Sequence, residues 1–193
     1  MGWPATTLTG RTVAFLVAPY GAEQVELTSP WQAVAEAGGT SRLLSTAPGR
    51  VQAVRHRAPG DTFAVDGLVA DADPASYDGL VLPGGVASPD HLRQDRAAVA
   101  FVHAFCASGR PVAAICHGPW ILVEADAVRG RTLTSWPSLR TDLVNAGAHW
   151  VDAEVHVCHD GPGPLITSRK PADLPVFNDT LVTEFAHAAK RRK

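Results

Sequence analysis

The alternation of short apolar runs with helical stretches is the feature that most constrains what this chain can fold into. Residues 12–18 (TVAFLVA) form an apolar, β-branched run that stops at Pro19 and Gly21, as is typical of a strand buried on both faces. Residues 79–83 (GLVLP) and 111–115 (PVAAI) repeat this pattern, with helical stretches between. The alternation predicts an α/β fold: a doubly wound, mostly parallel sheet with helices on both faces.

The remaining elements follow from the same periodicities and from turn residues. The predicted strands are 12–18, 40–46, 79–83, 111–115, 153–157 and 164–168, and the predicted helices are 30–37, 95–107, a helix from just after Cys116 to about 124, 137–146 and 172–189. Pro30 is expected in the first turn of its helix. Residues 48–76 carry β fragments near 51–54 and 62–65 and no helix signal, so they are interpreted as a hairpin-bearing excursion.

Length, charge and cysteine content limit the classes of function. The 193 residues suit one domain over 1–193, with 1–10 as an N-terminal arm and 190–193 as a frayed tail. The net charge of −2, without a basic block, predicts no nucleic-acid and no membrane partner. No apolar run approaches the roughly 20 residues that span a bilayer, and no secretory signal is recognised. Three cysteines argue for a reducing compartment, so we expect a soluble, cytoplasmic protein.

The chemically distinctive residues follow three of the predicted strands. These segments are 19–26 (PYGAEQVE), 83–85 (PGG) and 116–118 (CHG). In a parallel sheet of this type, ligands bind at the carboxyl ends of the strands. The segments are distant in sequence, but the topology would bring them together, and the functional site is expected there.

Cys116 is the candidate nucleophile. An apolar strand, a cysteine, Gly118 and a helix start are the arrangement of a nucleophile elbow, in which the nucleophile occupies a strained turn. The helix N-terminus behind the sulfur would lower the thiol pKa from its usual value of about 8.5. The alternative interpretation is a small hydrophobic residue of the core. Cys106 is expected to be such a residue, and Cys158 is left unassigned.

Residues 156–163 (HVCHDGPG) combine metal-competent side chains, but their spacing matches no common zinc pattern. Strand alternation would separate His156 and Cys158 from His159. Neither GxGxxG nor GxxxxGK[ST] occurs, so a nucleotide cofactor is not indicated. We expect no metal and no cofactor.

Four sequence blocks together point to a known family. LPGG (82–85), AAICHGPW (113–120), residues 130–152 and LITSRKPADLP (165–175) resemble the PfpI intracellular-protease branch of the ThiJ/PfpI superfamily. That superfamily includes the parkinsonism-associated deglycase and is related to class I glutamine amidotransferases. The resemblance runs from about residue 11 to about 185 and implies a flavodoxin-like, class I glutamine amidotransferase-like fold.

The resemblance also implies roles for individual residues. Cys116 would be the nucleophile and His117 its base or acid partner, with the His117 N–H in an oxyanion hole. Gly84 and Gly85 would supply the other backbone donors, each typically contributing about 3–4 kcal/mol. Glu26 would lie beside the sulfur as a protonated carboxyl group, because one proton is shared when a carboxylate approaches a thiolate.

Two further residues are weaker candidates for the pocket. Glu23 would help to shape it, and Trp120 follows the elbow closely enough to line its mouth. Taken from the residues alone, Glu23 and Glu26 also fit solvated acids in the first turn of a helix, and residues 83–85 a simple loop after a strand.

In the PfpI branch an acidic residue of a neighbouring subunit orients the histidine. The matching segment here is 86–93 (VASPDHLR), which puts Asp90 at that position. The residue is Asp where the archaeal protease type has Glu, and the loop is one residue longer. A role in trans implies a homodimer or a higher homo-oligomer.

These residues predict a cysteine-dependent, stress-response hydrolase or lyase that acts on carbonyl compounds. The carbonyl could belong to a peptide, to a methylglyoxal adduct on an amine or thiol, or to methylglyoxal itself. The alternative is a redox-sensing stress-protection protein whose Cys116 is oxidised, with little or no turnover. A glutaminase is disfavoured, because no convincing downstream His-x-Glu pair is present.

Overall fold

The structure, a computed structural model, describes residues 7–190. The strands are β1 (Thr12–Leu16), β2 (Tyr20–Glu23), β3 (Thr40–Ser45), β4 (Arg50–Arg55), β5 (Ala58–Ala64), β6 (Gly67–Leu68), β7 (Gly79–Leu82), β8 (Val112–Ile115), β9 (Thr132–Leu133), β10 (His149–Trp150), β11 (Val155–Cys158) and β12 (Leu165–Ser168). The α-helices are α1 (Gln24–Glu36), α2 (Ala87–Leu92), α3 (Arg96–Ala107), α4 (Pro119–Glu124), α5 (Arg140–Asn145) and α6 (Leu174–Lys190). Single 3₁₀ turns cover Val69–Asp71, Pro74–Ser76, Pro137–Leu139 and Pro171–Asp173.

The central sheet has seven strands in the order β11-β12-β8-β7-β1-β3-β6. Every neighbouring pair is parallel except β11 and β12, which are antiparallel. The chain winds outward from β1 in both directions, since β1 pairs with β3 on one side and with β7 on the other. The predicted doubly wound, mostly parallel sheet is therefore confirmed.

Two apolar cores cover the two faces of this sheet. Successive residues of β1 point to opposite faces, so Ala14 and Leu16 join the core under α3, α4 and α5, whereas Val13 and Phe15 join the core under α1 and α6. All four residues of each of the strands β7, β8 and β12 are buried. Burial of each large apolar side chain contributes roughly 1.5–3 kcal/mol, so both helical layers are held firmly against the sheet.

Helix α1 differs from the sequence-based expectation. It begins at Gln24, so Pro30 lies inside the helix and the prediction of a first-turn proline is wrong. Proline has no N–H to donate to the carbonyl of Glu26, four residues earlier. The buried residues Leu27, Pro30 and Val34 lie three or four residues apart, and burial of this face holds the helix together across the proline. The earlier start is what places Glu26 in a helix.

The excursion after β3 is the predicted hairpin. Strands β4 and β5 pair antiparallel, and β2, which was not predicted, adds to β4 to make a three-stranded sheet. Two 3₁₀ turns over Val69–Asp71 and Pro74–Ser76 occur where no helix was expected. The tip of the hairpin, residues 56–57, reaches the carboxyl edge of the central sheet, as described below.

The structure describes part of the expected N-terminal arm and part of the expected C-terminal tail. Residues 1–6 of the expected arm and 191–193 of the expected tail lie outside the described residues. Leu8 is fully buried, and its N–H donates to the carbonyl of Ala37 at 2.7 Å, so this part of the arm is packed on the domain. Lys190 is the last residue of α6.

Candidate active site

Three strand ends converge on one cleft of about 500 Å³. The segment from β2 into α1 contributes acidic side chains, the turn after β7 contributes glycine backbone, and the turn after β8 contributes the cysteine and histidine. The lining residues are Glu23, Glu26, His56, Arg57, Gly85, Val86, Cys116, His117, Trp136, Lys170, Pro171 and Ala172. The expected convergence of distant segments is present.

Cys116 lies at a left-handed turn between β8 and α4. Its φ of +60° is unusual for a non-glycine residue and costs on the order of 1–3 kcal/mol. Its N–H donates to the carbonyl of Ser168 at 3.0 Å, which holds the turn against β12. A Cβ at Gly118 would overlap the carbonyl oxygen of Leu82, so only glycine lets the chain pass β7 here. This is the geometry of a nucleophile elbow.

His117 directly contacts the cysteine. Its Nδ1 lies 3.2 Å from Cys116 Sγ, and both residues are 7% exposed. On the other side of the ring, Nε2 lies 3.5 Å from Ser138 Oγ. The ring of Trp136 stacks on the imidazole, with centroids 5.9 Å apart. The pair is thus enclosed, with the sulfur at the floor of the cleft.

Sequence reasoning missed Ser138 and Trp136. Both belong to the segment after β9, which is tied to the elbow because the N–H of Trp136 donates to the carbonyl of Cys116 at 2.9 Å. The local signal in the sequence is a tryptophan followed by Pro137. This pattern does not indicate that the segment lies near residue 116. Only the tertiary fold brings this segment to the site.

Glu26 is a fully buried acid beside the sulfur. One of its oxygens, Oε2, accepts a hydrogen bond from the N–H of Gly84 at 3.0 Å. Burial, and secondarily the charge of Glu23, raises the pKa of Glu26 to about 8, against the opposing effect of its interactions with Cys116, Gly84 and Gly85. The carboxyl group is therefore protonated at neutral pH, as the resemblance implies.

The thiol pKa differs from the sequence-based expectation. Burial first, and then the charge of Glu26, raises the pKa of Cys116, while the N–H groups of Gly85 and His117 lower it. The prediction of a lowered pKa is wrong, because α4 has only six residues and its end effect does not offset loss of hydration. Burial also lowers the pKa of His117, so the resting pair is a neutral thiol beside a neutral imidazole.

The two glycines after β7 have different roles. A Cβ on Gly84 would overlap the carboxyl group of Glu26 and the side chain of Cys116, and the N–H of Gly84 is already used by Glu26. Gly85 has a φ of +82°, and its N–H points at the sulfur, as does that of His117. Gly84 is thus not available as an oxyanion donor, contrary to the expectation, and Gly85 and His117 are the residues whose backbone N–H groups lie at the sulfur.

Glu23 and Trp120 occupy different positions relative to the cleft. Glu23 lines it, is 9% exposed, and accepts a hydrogen bond from the N–H of His56 at 2.9 Å. Trp120 lies behind His117, at 5.2 Å between ring centroids, and its Nε1 donates to Asp142 at 2.8 Å. Trp136, rather than Trp120, lines the cleft. Trp120 does not line the cleft because α4 turns its side chain away from it.

Asp90 is not brought to His117 within one chain. It is exposed on α2, and its carboxylate accepts a hydrogen bond from Gln94 Nε2 at 3.3 Å. The sequence hypothesis places Asp90 across a subunit interface, and a single chain does not test that.

The other cysteines lie outside the cleft. Cys106 packs from α3 against the apolar core, and burial raises its pKa to about 12. Cys158 is buried at the end of β11, whereas the neighbouring His159 is exposed and lies 3.9 Å from Glu184. Over residues 7–190, no group of three or more His, Cys, Asp or Glu side chains is arranged to hold a metal ion.

The doubly wound sheet and the left-handed turn at Cys116 define a class: α/β proteins with a cysteine between a strand and a helix at the carboxyl edge of a parallel sheet. Residues 11–184 match the model of the DJ-1/PfpI family, and the chain belongs to this family. The resemblance found in the sequence is thereby confirmed.

Individual relatives agree with this assignment. The chain is 40% identical over 156 residues to "Putative cysteine protease YraA" of Bacillus subtilis, covering 81% of this chain and 88% of that protein. It is 42% identical over 156 residues to "Protein/nucleic acid deglycase 2" of Escherichia coli, covering 81% and 87%. The relatives' names thus include two hydrolase-type activities.

A solved structure shares the fold. A two-domain protein from Anabaena variabilis, with DJ-1/ThiJ/PfpI-like and ferritin-like domains, has a TM-score of 0.82 and 33% sequence identity. The match covers 90% of this chain and 47% of that one, so this chain spans about half of the two-domain protein. Among residues 7–190, no helix combines the length and the apolar character needed to cross a membrane.

Proposed function

We propose that this protein is a cysteine-dependent hydrolase or lyase that acts on carbonyl compounds. The observation that carries the proposal is the 3.2 Å separation of Cys116 Sγ from His117 Nδ1 at a left-handed elbow. Relatives named as a cysteine protease and as a deglycase support a hydrolase-type reaction. Cys116 is the nucleophile and His117 its acid–base partner.

The reaction begins from neutral groups. As Sγ attacks the carbonyl carbon, the S–C bond forms, the carbonyl π electrons move onto oxygen, and the thiol proton passes to His117 Nδ1. The N–H groups of Gly85 and His117 stabilise the oxyanion. With a peptide, His117 then returns the proton to the departing amine, and a water molecule releases the acyl group from Cys116. With methylglyoxal, the proton returns to the oxyanion, and transfer of the C1 proton to C2 through an enediol oxidises C1 and reduces C2, so that water releases lactate from the resulting thioester. A methylglyoxal adduct enters the same route after its amine or thiol leaves with a proton from His117.

The two buried acids, Glu26 and Glu23, support the site in different ways. The protonated carboxyl group of Glu26 lies beside the sulfur and avoids the repulsion that a carboxylate would exert on a forming thiolate. Glu23 holds the backbone of the hairpin tip over the cleft through its bond to His56.

The size of the cleft favours small carbonyl substrates. About 500 Å³ accommodates methylglyoxal or a methylglyoxal adduct on a projecting amine or thiol. Peptide cleavage requires a longer binding surface, which oligomerisation would have to build. We therefore propose deglycation or glyoxalase-type chemistry, as part of a cytoplasmic stress response, as the first candidate reaction. Peptidase activity is the second candidate.

We also propose that the site is completed in a homodimer or a higher homo-oligomer. Among residues 7–190, the Ser138 hydroxyl is the hydrogen-bonding partner of His117 Nε2, at 3.5 Å, and Asp90 of a neighbouring subunit would supply a carboxylate there. Mixing the inactive variants Asp90→Asn and Cys116→Ala should restore part of the activity, because mixed oligomers contain one complete site. No restoration in an oligomer shown to exchange subunits would contradict the proposal.

A substrate panel tests the reaction. Wild type, Cys116→Ala and His117→Ala are assayed with a peptide, a glycated amine and free methylglyoxal, with Cys158→Ala as the control for loss of a buried thiol. We expect no turnover from Cys116→Ala, a strongly reduced rate from His117→Ala and a normal rate from the control. Equal rates in all four proteins would exclude a role for the Cys–His pair.

A redox-sensing function is the second candidate, favoured by one observation. The carboxyl group of Glu26, beside the sulfur, is suited to donate a hydrogen bond to an oxidised cysteine. Under mild peroxide, mass spectrometry should then find oxidation concentrated at Cys116. Equal oxidation of Cys106 and Cys158 would count against it.

A further inference from the structure

Two cations without partners stand at the mouth of the candidate active site. Arg57 and Lys170 line the cleft and are exposed, and within residues 7–190 the side chain of neither one makes a hydrogen bond or an ion pair. Their neighbours in sequence differ. Arg55 is paired with Asp61 at 2.9 Å, and Arg169 is paired with two aspartates. The cations turned toward the cleft are thus the ones left without a counter-ion.

The hairpin tip that carries Arg57 is held in place. His56 is left-handed, with a φ of +59°, and its N–H donates to Glu23 at 2.9 Å. One residue further along, Gln24 Oε1 accepts a hydrogen bond from the N–H of Asp61 at 2.7 Å. The start of α1 therefore fixes the β4–β5 turn, and Arg57 is presented at the rim by an anchored backbone.

The acids of the cleft do not neutralise these cations. The carboxyl group of Glu26 is buried at the floor and is protonated at neutral pH, since burial raises its pKa to about 8. The carboxylate of Glu23 is 9% exposed and is directed to the backbone of His56. Arg57 and Lys170 leave the cleft with an excess of positive charge facing its opening.

We propose that the cleft selects carbonyl substrates that carry an anionic group, a carboxylate or a phosphate, and that Arg57 and Lys170 determine this specificity. A guanidinium group binds either anion through two parallel hydrogen bonds, and an ammonium group adds a point charge. The statement that the substrate is a carbonyl compound rests on the proposed function at Cys116. The statement that an anion is recognised depends only on the two cations at the mouth of the cleft. The two parts are therefore tested separately.

Alkylation of Cys116 tests anion recognition without turnover. Iodoacetate and iodoacetamide form the same S–C bond and expel iodide, with loss of the thiol proton, but only iodoacetate is an anion. The rate ratio of iodoacetate to iodoacetamide at Cys116 should fall about three-fold or more in Arg57→Gln/Lys170→Gln. The iodoacetamide rate should change little. High salt should lower the wild-type ratio toward that of the variant.

Arg96→Gln is the control, because it removes one positive charge from an exposed helix position outside the cleft. Its effect is compared with that of the single variant Arg57→Gln. A ratio lowered in Arg57→Gln and unchanged in Arg96→Gln supports the proposal. An equal ratio in both variants and in wild type overturns it.

Substrate assays then distinguish the two anions. The methylglyoxal adduct of glycine carries a carboxylate, that of aminomethylphosphonate a phosphonate, and that of methylamine no anionic group. In Arg57→Gln/Lys170→Gln, kcat/KM should fall for the carboxylate adduct, for the phosphonate adduct, or for both, and should stay unchanged for the methylamine adduct; the affected substrate identifies the anion. An equal fall for all three overturns the specificity. If wild type turns over none of them, the proposed function fails while the alkylation ratio still decides anion recognition.

Discussion

Cys116 and Cys106 are both free thiols that burial affects in the same way, yet their surroundings differ. Burial is the largest cause of a raised pKa for each. Cys106 lies within α3 against the apolar core. Cys116 lies at a φ of +60°, with His117 at 3.2 Å and Glu26 against the sulfur. Reactivity at Cys116 therefore depends on groups that move a proton during attack, rather than on a resting thiolate.

Filling the space between Cys116 and Glu26 should have the largest effect. In Gly84→Ala, the added Cβ would overlap both side chains. We expect kcat/KM to fall by about 100-fold or more, and a loss of stability of about 1–3 kcal/mol from overpacking. Enzyme kinetics and urea unfolding measure the two effects.

Gly10→Ala is the control for that substitution. Nothing lies within 4 Å of a Cβ at Gly10, although its φ of +74° is left-handed. It should cost about 1 kcal/mol of stability through backbone strain and leave kcat/KM unchanged. Full activity in Gly84→Ala would show that the Glu26–Cys116 contact is dispensable.

Removing the neighbouring base should have the next largest effect. In His117→Ala, no side chain remains to accept the thiol proton, and we expect kcat to fall about 100-fold or more. His103→Ala is the matched control, because His103 lies one turn from Cys106 and bonds the carbonyl of Ala125 at 2.9 Å. A similar loss in both variants would remove the distinction between the two cysteines.

The same contrast shows what the sequence can predict. The CHG motif after an apolar strand indicates the elbow, and the PGG motif indicates a second strand end at the same edge of the sheet. Both are local patterns, and parallel topology converts them into proximity. The direction of the Cys116 pKa was not predictable, because it depends on burial and on Glu26, which a helix-start motif does not reveal.

The sequence also did not predict which residues from distant segments contact the candidate active site. Ser138 and Trp136 reach His117 through a backbone bond between the loop after β9 and the elbow. Arg57 reaches the cleft because a hairpin tip is tied to the start of α1. Such contacts are set by the packing of distant segments, and no periodicity along the chain encodes them.

Glu26 predicts a pH-dependent stability below pH 8, where the thiol of Cys106 makes no comparable contribution because its pKa rises from 9.0 to about 12. Its pKa is raised from 4.5 to about 8 in the folded state. Between these values the folded protein keeps a proton that the unfolded chain loses. The free energy of unfolding should therefore fall as pH rises, by about 1.4 kcal/mol per pH unit from this group.

Glu26→Gln should remove that component. Urea unfolding of wild type and variant at pH 5, 6, 7 and 8 gives the difference in slope, and Glu36→Gln, at an exposed helix position, is the control. Parallel curves for wild type and Glu26→Gln would mean that Glu26 ionises normally in the folded protein.

The smallest effect is expected at Cys106. In Cys106→Ala the side chain loses its sulfur from a partly buried position against the core, and the remaining contacts of α3 persist. We expect a loss of about 1 kcal/mol in the free energy of unfolding and an unchanged kcat/KM. The reason is that Cys106 lies outside the cleft that holds Cys116, and His103, one turn away, bonds the carbonyl of Ala125 instead. A ten-fold loss of activity with intact folding would show that the two thiols are coupled, and that burial within α3 does not isolate Cys106 from the chemistry.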